Sequence, residues 1–182
     1  MKNLIIFFIC LFIVNTNLCS EERDAKLDRL FVELRNNNIS LSYQIEQKIW
    51  KLWSTHPHDE NLTLMLSEGS KLVNRNKLYE AINVFDKVIS LDPSWAEAWN
   101  KRATVFYLIG EFEKSQRDID KVLELEDRHF GALAGQGLVN IQLKKYEKAI
   151  KSYQRAQQIY PSMESPKIMI KQLKKIIKEE LI

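Results

Sequence analysis

The chain is poor in the residues that disulfide-bonded domains, thiol enzymes and nucleotide-binding loops require. It contains 2 cysteines, 5 glycines and 4 prolines in 182 residues. Both cysteines, Cys10 and Cys19, lie near the amino terminus, so a mature chain that begins near Ser20 would have no thiol. The sequence also lacks G-x-S-x-G, H-E-x-x-H and phosphate-cradling glycine patterns. It therefore predicts a non-catalytic protein without a cofactor or metal.

The chain carries no strong excess of positive or negative charge. The chain has 27 Lys and Arg against 24 Asp and Glu, a formal net charge of +3. A near balance predicts no general attraction to nucleic acid. Together with the scarcity of glycine and proline, a charged fraction of 28% favours a helical protein.

The first residues have the pattern of an export signal. Met1 and Lys2 precede an apolar run from Leu4 to Val14, and polar residues follow it. This run is shorter than the ~20 residues that a permanent membrane span needs. The pattern predicts a signal peptide over residues 1–19 and a periplasmic or secreted protein, with membrane anchorage as the alternative. Anchorage would follow from an uncleaved signal or from lipidation of Cys19.

Three stretches, starting at Leu62, Ala96 and Phe130, repeat one pattern with a period of 34 residues. In the middle copy, one helix face is followed by Gly110, which permits the turn that ends the helix. A second helix then presents another apolar face. The residues of these two faces are Trp99, Ala103, Phe106, Phe112, Ser115, Ile119 and Val122. Small residues allow the two helices to approach closely, and the large ones fill the space beside them.

The order large, small, aromatic, Ala, aromatic, Ala, Pro at this period resembles the tetratricopeptide repeat (TPR) family. The resemblance implies an all-α, right-handed superhelix (solenoid) with a concave groove. Its units are predicted at residues 62–95, 96–129 and 130–163. Residues 20–61 are predicted to form a degenerate helical hairpin packed on the first repeat, and residues 164–182 a basic helix that caps the last one.

The resemblance also implies a binding site, because the first helix of each repeat lines the groove in this family. A protein or peptide partner is therefore expected to contact the exposed side of these helices. The residues on that side are Leu66, Ser70, Val73, Asn74, Asn100, Thr104, Tyr107, Leu108, Ala134, Leu138, Ile141 and Gln142. This surface is mostly apolar, which favours an apolar peptide.

Some family members hold C-terminal carboxylates in a clamp of Lys, Asn and Arg. The matching positions of this chain are Leu66, Ser70, Lys101, Gly131 and Gly135. Only Lys101 has a suitable charge, so the sequence does not favour a carboxylate clamp.

The repeats depart from the family pattern at one first-helix position, where polar residues replace the usual apolar one. These residues are Glu68, Arg102 and Gln136. Because an unpaired buried guanidinium is costly, Arg102 is expected either to pair with Asp118 or Glu68 or to extend to solvent.

Several local patterns carry further expectations. Ser94 and Glu97 are spaced as a capping box, and Asp127 is placed to cap the third repeat. His129 is expected to cap or to pack, and the residues from His56 to Asp59 to form a polar loop that caps the next helix. Three tryptophans, Trp50, Trp53 and Trp99, are expected in the core, with Trp95 partly exposed at the junction between repeats.

These observations predict an exported protein-interaction scaffold without catalytic activity. Two alternatives remain open from the sequence. One is a structural component that associates with itself as a homo-oligomer. The other is a membrane-anchored assembly factor of the cell envelope.

Overall fold

The computed structural model describes residues 21–36 and 39–180, and all its regular elements within those ranges are α-helices. The predicted signal peptide and Cys19 lie outside the described residues. Helix α1 covers residues 21–36. The helices that follow are α2 (Ile39–Ser54), α3 (Glu60–Asn74), α4 (Leu78–Leu91), α5 (Ala96–Leu108), α6 (Phe112–Leu125), α7 (Phe130–Gln142), α8 (Tyr146–Ile159) and α9 (Glu164–Glu180). No helix in these ranges is both long enough and apolar enough to cross a membrane.

Helices α3 to α8 form three antiparallel pairs that stack in sequence order, and α9 packs against α8. The predicted all-α repeat solenoid is confirmed. Among the paired helices, α3 contacts α5 and α5 contacts α7, so the first helices lie side by side as an inner layer. The tight turns between paired helices contain Asn76, Gly110 and Lys144, each with a positive φ between 55° and 80°.

The small residues of the repeat pattern lie where neighbouring aromatic rings leave no room for a side chain. A Cβ atom on Gly69 would collide with the ring of Phe85, and one on Gly137 would collide with the ring of Tyr153. Both rings are buried. These contacts allow the first and third helix pairs each to close around one large aromatic side chain.

The amino-terminal hairpin of α1 and α2 packs on more of the solenoid than the first repeat alone. Its apolar residues form one buried cluster with Phe130, at the junction of the second and third repeats, and with Tyr160, which follows α8. The Tyr160 hydroxyl also donates to Glu46 Oε2 at 3.1 Å. The hairpin contacts the predicted first repeat through Trp53 and His56, which meet Trp95 and Asp92, but most of its apolar residues bury against Phe130 and Tyr160 further along the solenoid.

The hairpin also buries Trp95, which was expected to be partly exposed. This residue is only 5% exposed, and its Nε1 donates to the Trp53 carbonyl at 2.8 Å. His56, which follows α2, packs edge-on against the same indole at 5.0 Å. The expected exposure of Trp95 is therefore wrong, because the end of α2 covers this repeat junction.

Two of the predicted helix caps are not formed. Helix α5 has no side-chain cap, since the Ser94 hydroxyl donates to Asp92 Oδ1 at 2.6 Å and Glu97 points into the interior. Helix α7 is capped by His129, whose Nδ1 accepts from the Ala132 amide at 3.1 Å. Asp127 does not cap it. The capping role of His129 and the capping role of the His56–Asp59 loop are confirmed, the latter through Asp59, which caps α3.

Candidate functional site

The exposed part of the predicted groove lies on the carboxyl-terminal halves of α5 and α7. Both large apolar side chains here are exposed, Leu108 by 53% and Leu138 by 40%. Thr104 and Gln142 are also exposed, whereas Tyr107 and Ile141 are half-buried. We call the surface formed by these six residues the open groove.

A small cleft forms part of the open groove. Its volume is about 80 Å³, and residues of α5, α6 and α7 line it, including Thr104, Tyr107 and Leu138. The Tyr107 ring packs against Phe112 with 5.6 Å between centroids. The Tyr107 hydroxyl accepts a hydrogen bond from Gln142 Nε2 at 3.4 Å. The cleft is large enough for one small apolar group, and its edge offers a phenol and an amide.

Two predicted groove residues are not on the surface. Leu66 is only 2% exposed and packs within the core that α3, α4 and α5 share. Asn100 is buried and donates to Glu97 Oε2 at 2.9 Å. The assignment of Leu66 to an open groove is therefore wrong, whereas Asn100 is among the residues that line the small cleft. The remaining predicted residues are half-buried or, in the case of Asn74, exposed; they are Ser70, Val73, Asn74 and Ala134.

The amino-terminal end of α7 is covered by Trp50 of α2. A Cβ atom on Gly131 would lie 2.5 Å from the Trp50 ring, so the indole lies directly on the helix backbone. The same ring packs edge-on against His129 and Phe130, with 5.4 Å between centroids in each case. The hairpin thus occupies the part of the inner layer that precedes the open groove.

Trp53, His129 and Glu97 form a buried contact between the hairpin and two repeats. The Trp53 and His129 rings are stacked at 3.9 Å with only 8° between their planes. His129 Nδ1 accepts from the Ala132 amide, so in the neutral ring the proton is on Nε2, which lies 3.1 Å from Glu97 Oε2 and donates to it. The sequence indicated the capping role of His129 but neither of these partners.

The carboxylate of Glu97 is charged although it is wholly buried. Burial alone would raise its pKa, but the hydrogen bond from His129 and the charge of Lys101 outweigh burial and lower the pKa below the ordinary value. Lys101 Nζ lies 3.0 Å from Glu97 Oε1. The paired charges make this a structural cluster, because a buried carboxylate is tolerated when it is paired and hydrogen-bonded.

The same contact shows why the clamp positions do not form a carboxylate site. The Lys101 ammonium is paired with Glu97 and lies 5.9 Å from the centroid of the Trp50 ring. Gly131 is beneath that ring, and Leu66 is buried. The single cation at these positions is therefore already used within the fold.

Arg102 forms the expected ion pair and one that the sequence did not indicate. Its Nε and Nη2 each donate to Asp118 at 2.8 Å, and its Nη1 donates to Asp86 at 2.6 Å. Burial alone would lower the pKa of the guanidinium, but these bonds outweigh it and raise the pKa. Pairing with Asp118 is confirmed. Glu68 pairs instead with Lys71 on its own helix, at 3.4 Å.

Gln136 makes the corresponding connection in the third repeat. Its Nε2 donates to Asp120 Oδ1 of α6 at 3.3 Å, and its Oε1 accepts from the Ser152 hydroxyl of α8 at 2.8 Å. Arg102 likewise joins α4 to α6. The polar departures at these two positions therefore link the second helices of consecutive repeats, with partners 16 residues before and after each in the chain.

The histidine loop serves the fold. His56 Nδ1 accepts from the Asp59 amide at 2.9 Å, and its Nε2 lies 2.7 Å from Asp92 Oδ2. Burial, which would raise the pKa of Asp92, is outweighed by hydrogen bonds from Ser94 and His56, which lower it. No group of three metal-ligating side chains occurs in the described ranges.

Comparisons with known proteins agree with this geometry. A family profile described as tetratricopeptide repeat matches residues 109–164. A TPR repeat-containing protein of Rhizobium etli is 31% identical over 153 residues, which cover 80% of this chain and 74% of that protein. The chain belongs to the tetratricopeptide repeat family. This family is in general a non-catalytic fold for protein interaction, and the repeats of this TPR protein constitute a protein–protein interaction domain.

Two more distant similarities are to proteins whose names or titles mention Hsp70 or Hsp90. The Hsp70-Hsp90 organizing protein of Triticum aestivum is 28% identical over 87 residues, which are 48% of this chain but 15% of that protein. The first TPR of Spaghetti (RPAP3), solved with the HSP90 peptide SRMEEVD, superposes with a TM-score of 0.63. It is 20% identical, and the alignment covers 64% of this chain and 93% of that one. The second similarity shows the fold alone.

Proposed function

We propose that this TPR protein is an exported, non-catalytic scaffold that binds a protein or peptide in the open groove. The observation that supports the proposal is the exposure of Leu108 and Leu138 on adjacent inner helices, beside the cleft next to Tyr107. Exposed apolar side chains around a cleft with a few polar groups are typical of a peptide-binding surface. Affinity is expected to depend on Tyr107, Leu108, Leu138 and Ile141.

The proposed partner differs in chemistry from the peptide bound to the structural neighbour. That peptide ends in Glu-Glu-Val-Asp. In this chain Lys101 is paired with Glu97, and the open groove itself contains no lysine or arginine. An apolar peptide segment, extended or helical, matches the groove better because its side chains can bury against both leucines.

A capture experiment with whole-cell extract tests the groove. Leu108→Asp and Leu138→Asp together place two charges on the surface without disturbing the core, since both side chains are exposed. Leu64→Asp is the matched control, because Leu64 is also exposed but lies on α3 outside the open groove. A partner retained by the native protein and the control but lost from the double variant supports the proposal. Equal capture by all three proteins would contradict it.

Export is the second part of the proposal. It rests on Lys2, on the apolar run from Leu4 to Val14 and on the polar residues after it. Mass spectrometry of the native protein is expected to find an amino terminus near Ser20 and no lipid on Cys19. An intact Met1, or a lipid-modified Cys19, would indicate that the protein is anchored to the membrane and not released into the periplasm.

A further inference from the structure

A polar cleft on the outer side of the solenoid is separate from the open groove. Its volume is about 370 Å³, its floor comes from α7, and its walls come from α6 and α8. Four cationic side chains line one wall. These are Lys145, which immediately precedes α8, and Lys148, Lys151 and Arg155, at successive turns of one face of that helix.

In the part of the chain that the structure describes, these four cations have no carboxylate partner. Within the described residues, no Asp or Glu oxygen lies within 4.0 Å of any of them. Helix α8 contains a single acidic residue, Glu147, in its first turn. The one carboxylate of the cleft, Asp120, already accepts hydrogen bonds from Gln116 at 2.7 Å and from Gln136 at 3.3 Å. The positive charge of this wall is therefore available to a ligand.

The floor of the cleft is fixed by hydrogen bonds between amide and hydroxyl groups. Ser152 Oγ donates to Gln136 Oε1 at 2.8 Å, and Asn140 Nδ2 donates to the Gln136 carbonyl at 2.9 Å. Gln136 in turn donates to Asp120. A row of cations above a rigid polar floor can pair with carboxylates, while the amide groups of the floor contact a peptide backbone.

The charge of the chain is divided unevenly. Residues 144–182 contain ten Lys and Arg but four Asp and Glu, whereas the chain as a whole is nearly balanced. In the described part of this segment the only ion pair is the exposed one between Lys175 and Glu179, at 3.7 Å. Unpaired positive charge beside a cleft attracts a negatively charged partner and steers its approach to the cleft.

From this arrangement we infer that the cleft between α6 and α8 binds an acidic peptide segment, independently of the open groove. The row from Lys145 to Arg155 spans ten residues of helix, or about 15 Å at 1.5 Å per residue. An extended chain covers that distance in about five residues. The cleft is recessed and has an amide floor, which suits a narrow chain of carboxylates better than the flat surface of a bilayer.

The test measures binding of a fluorescein-labelled Gly-Glu-Glu-Gly-Glu-Glu-Gly peptide by anisotropy at low salt. The variant Lys148→Gln, Lys151→Gln, Arg155→Gln removes three charges from the cleft and retains Lys145, which precedes α8. The matched control is Lys171→Gln, Lys174→Gln, Lys178→Gln on α9, which lowers the net charge by the same amount. All replaced side chains are exposed, so both variants are expected to fold.

The cleft variant is expected to bind at least about tenfold more weakly than the native protein, while the α9 control changes by less than about twofold. Binding by the native protein is expected to weaken steeply as salt is raised, because the contacts are ionic. The double variant at Leu108 and Leu138 should bind the peptide normally, so that failure of the open groove and failure of the cleft are distinguishable.

Two outcomes would overturn the inference. If both triple variants weakened peptide binding equally, the peptide would be attracted by the net charge of the protein and not by a site in the cleft. Absence of peptide binding, together with binding to vesicles that contain phosphatidylglycerol, would assign the basic surface to a membrane instead.

Discussion

The imidazole of His129 lies flat against the indole of Trp53, with 3.9 Å between ring centroids. The two residues belong to different parts of the chain, the hairpin and the junction of the second and third repeats. Because His129 also bonds to Glu97 and caps α7, a single residue connects the hairpin to both repeats. The position of the hairpin is therefore fixed by the repeats themselves.

Replacement of Trp53 by alanine is expected to destabilise the protein strongly. The side chain is buried between Phe31, Trp50 and His129, and loss of a core tryptophan costs about 3–5 kcal/mol of unfolding free energy. Tyr43→Ala, in the same helix at an exposed position, is the control and should change the free energy by less than about 0.5 kcal/mol. Urea denaturation measures both values. Similar small changes would show that the hairpin is loosely attached.

Two glycines of α7 provide a matched pair. Gly131→Ala would place a Cβ atom 2.5 Å from the Trp50 ring, and such overpacking costs about 1–3 kcal/mol. At Gly135 the nearest atom is 3.7 Å away, in ordinary contact, so alanine should stabilise the helix by up to about 1 kcal/mol. Thermal unfolding should shift in opposite directions for the two variants. A stabilising Gly131→Ala would mean that Trp50 does not lie on this helix.

The Arg102 contacts predict a difference between arginine and lysine. Arg102→Ala leaves the buried Asp118 without its partner and should lower the free energy of unfolding by about 3 kcal/mol. Arg102→Lys should recover only part of that free energy, because a lysine cannot make the bidentate bond to Asp118. Lys71→Ala, which breaks the exposed pair with Glu68, is the control, with an expected loss below about 1 kcal/mol. Urea denaturation measures the free energy of unfolding of each variant. Full recovery by lysine would contradict the bidentate geometry.

The buried Glu97 predicts a dependence of stability on pH. Its folded pKa lies below the ordinary value of 4.5, so its charge stabilises the fold above pH 4.5. That stabilisation is lost as the pH falls through the folded pKa. Glu97→Gln lacks this titration, so the difference in unfolding free energy between native protein and variant should be largest near neutral pH and shrink in acid. A difference that stays constant from pH 7 to pH 3 would show that Glu97 is not charged in the fold.

The sequence predicted the repeat architecture because each repeat buries its own periodic residues, and those contacts are local. For Arg102 it offered Asp118 or Glu68 as partners, or extension to solvent, and the structure shows the pair with Asp118. The sequence did not predict that the hairpin reaches Phe130 and Tyr160, because an apolar pattern shows that Trp50 and Trp53 are buried but not against which residues. The errors at Leu66 and Trp95 have the same cause, as their burial depends on packing between elements.

In-cell photo-crosslinking tests the central claim, partner binding in the open groove, most directly. A photoreactive phenylalanine analogue is placed singly at Leu108, at Leu138 and, as a control, at Leu64, all of which are exposed. We expect one discrete crosslinked partner from the first two positions and none from Leu64. Crosslinks from Leu64 alone, or the same products from all three positions, would contradict binding in the open groove.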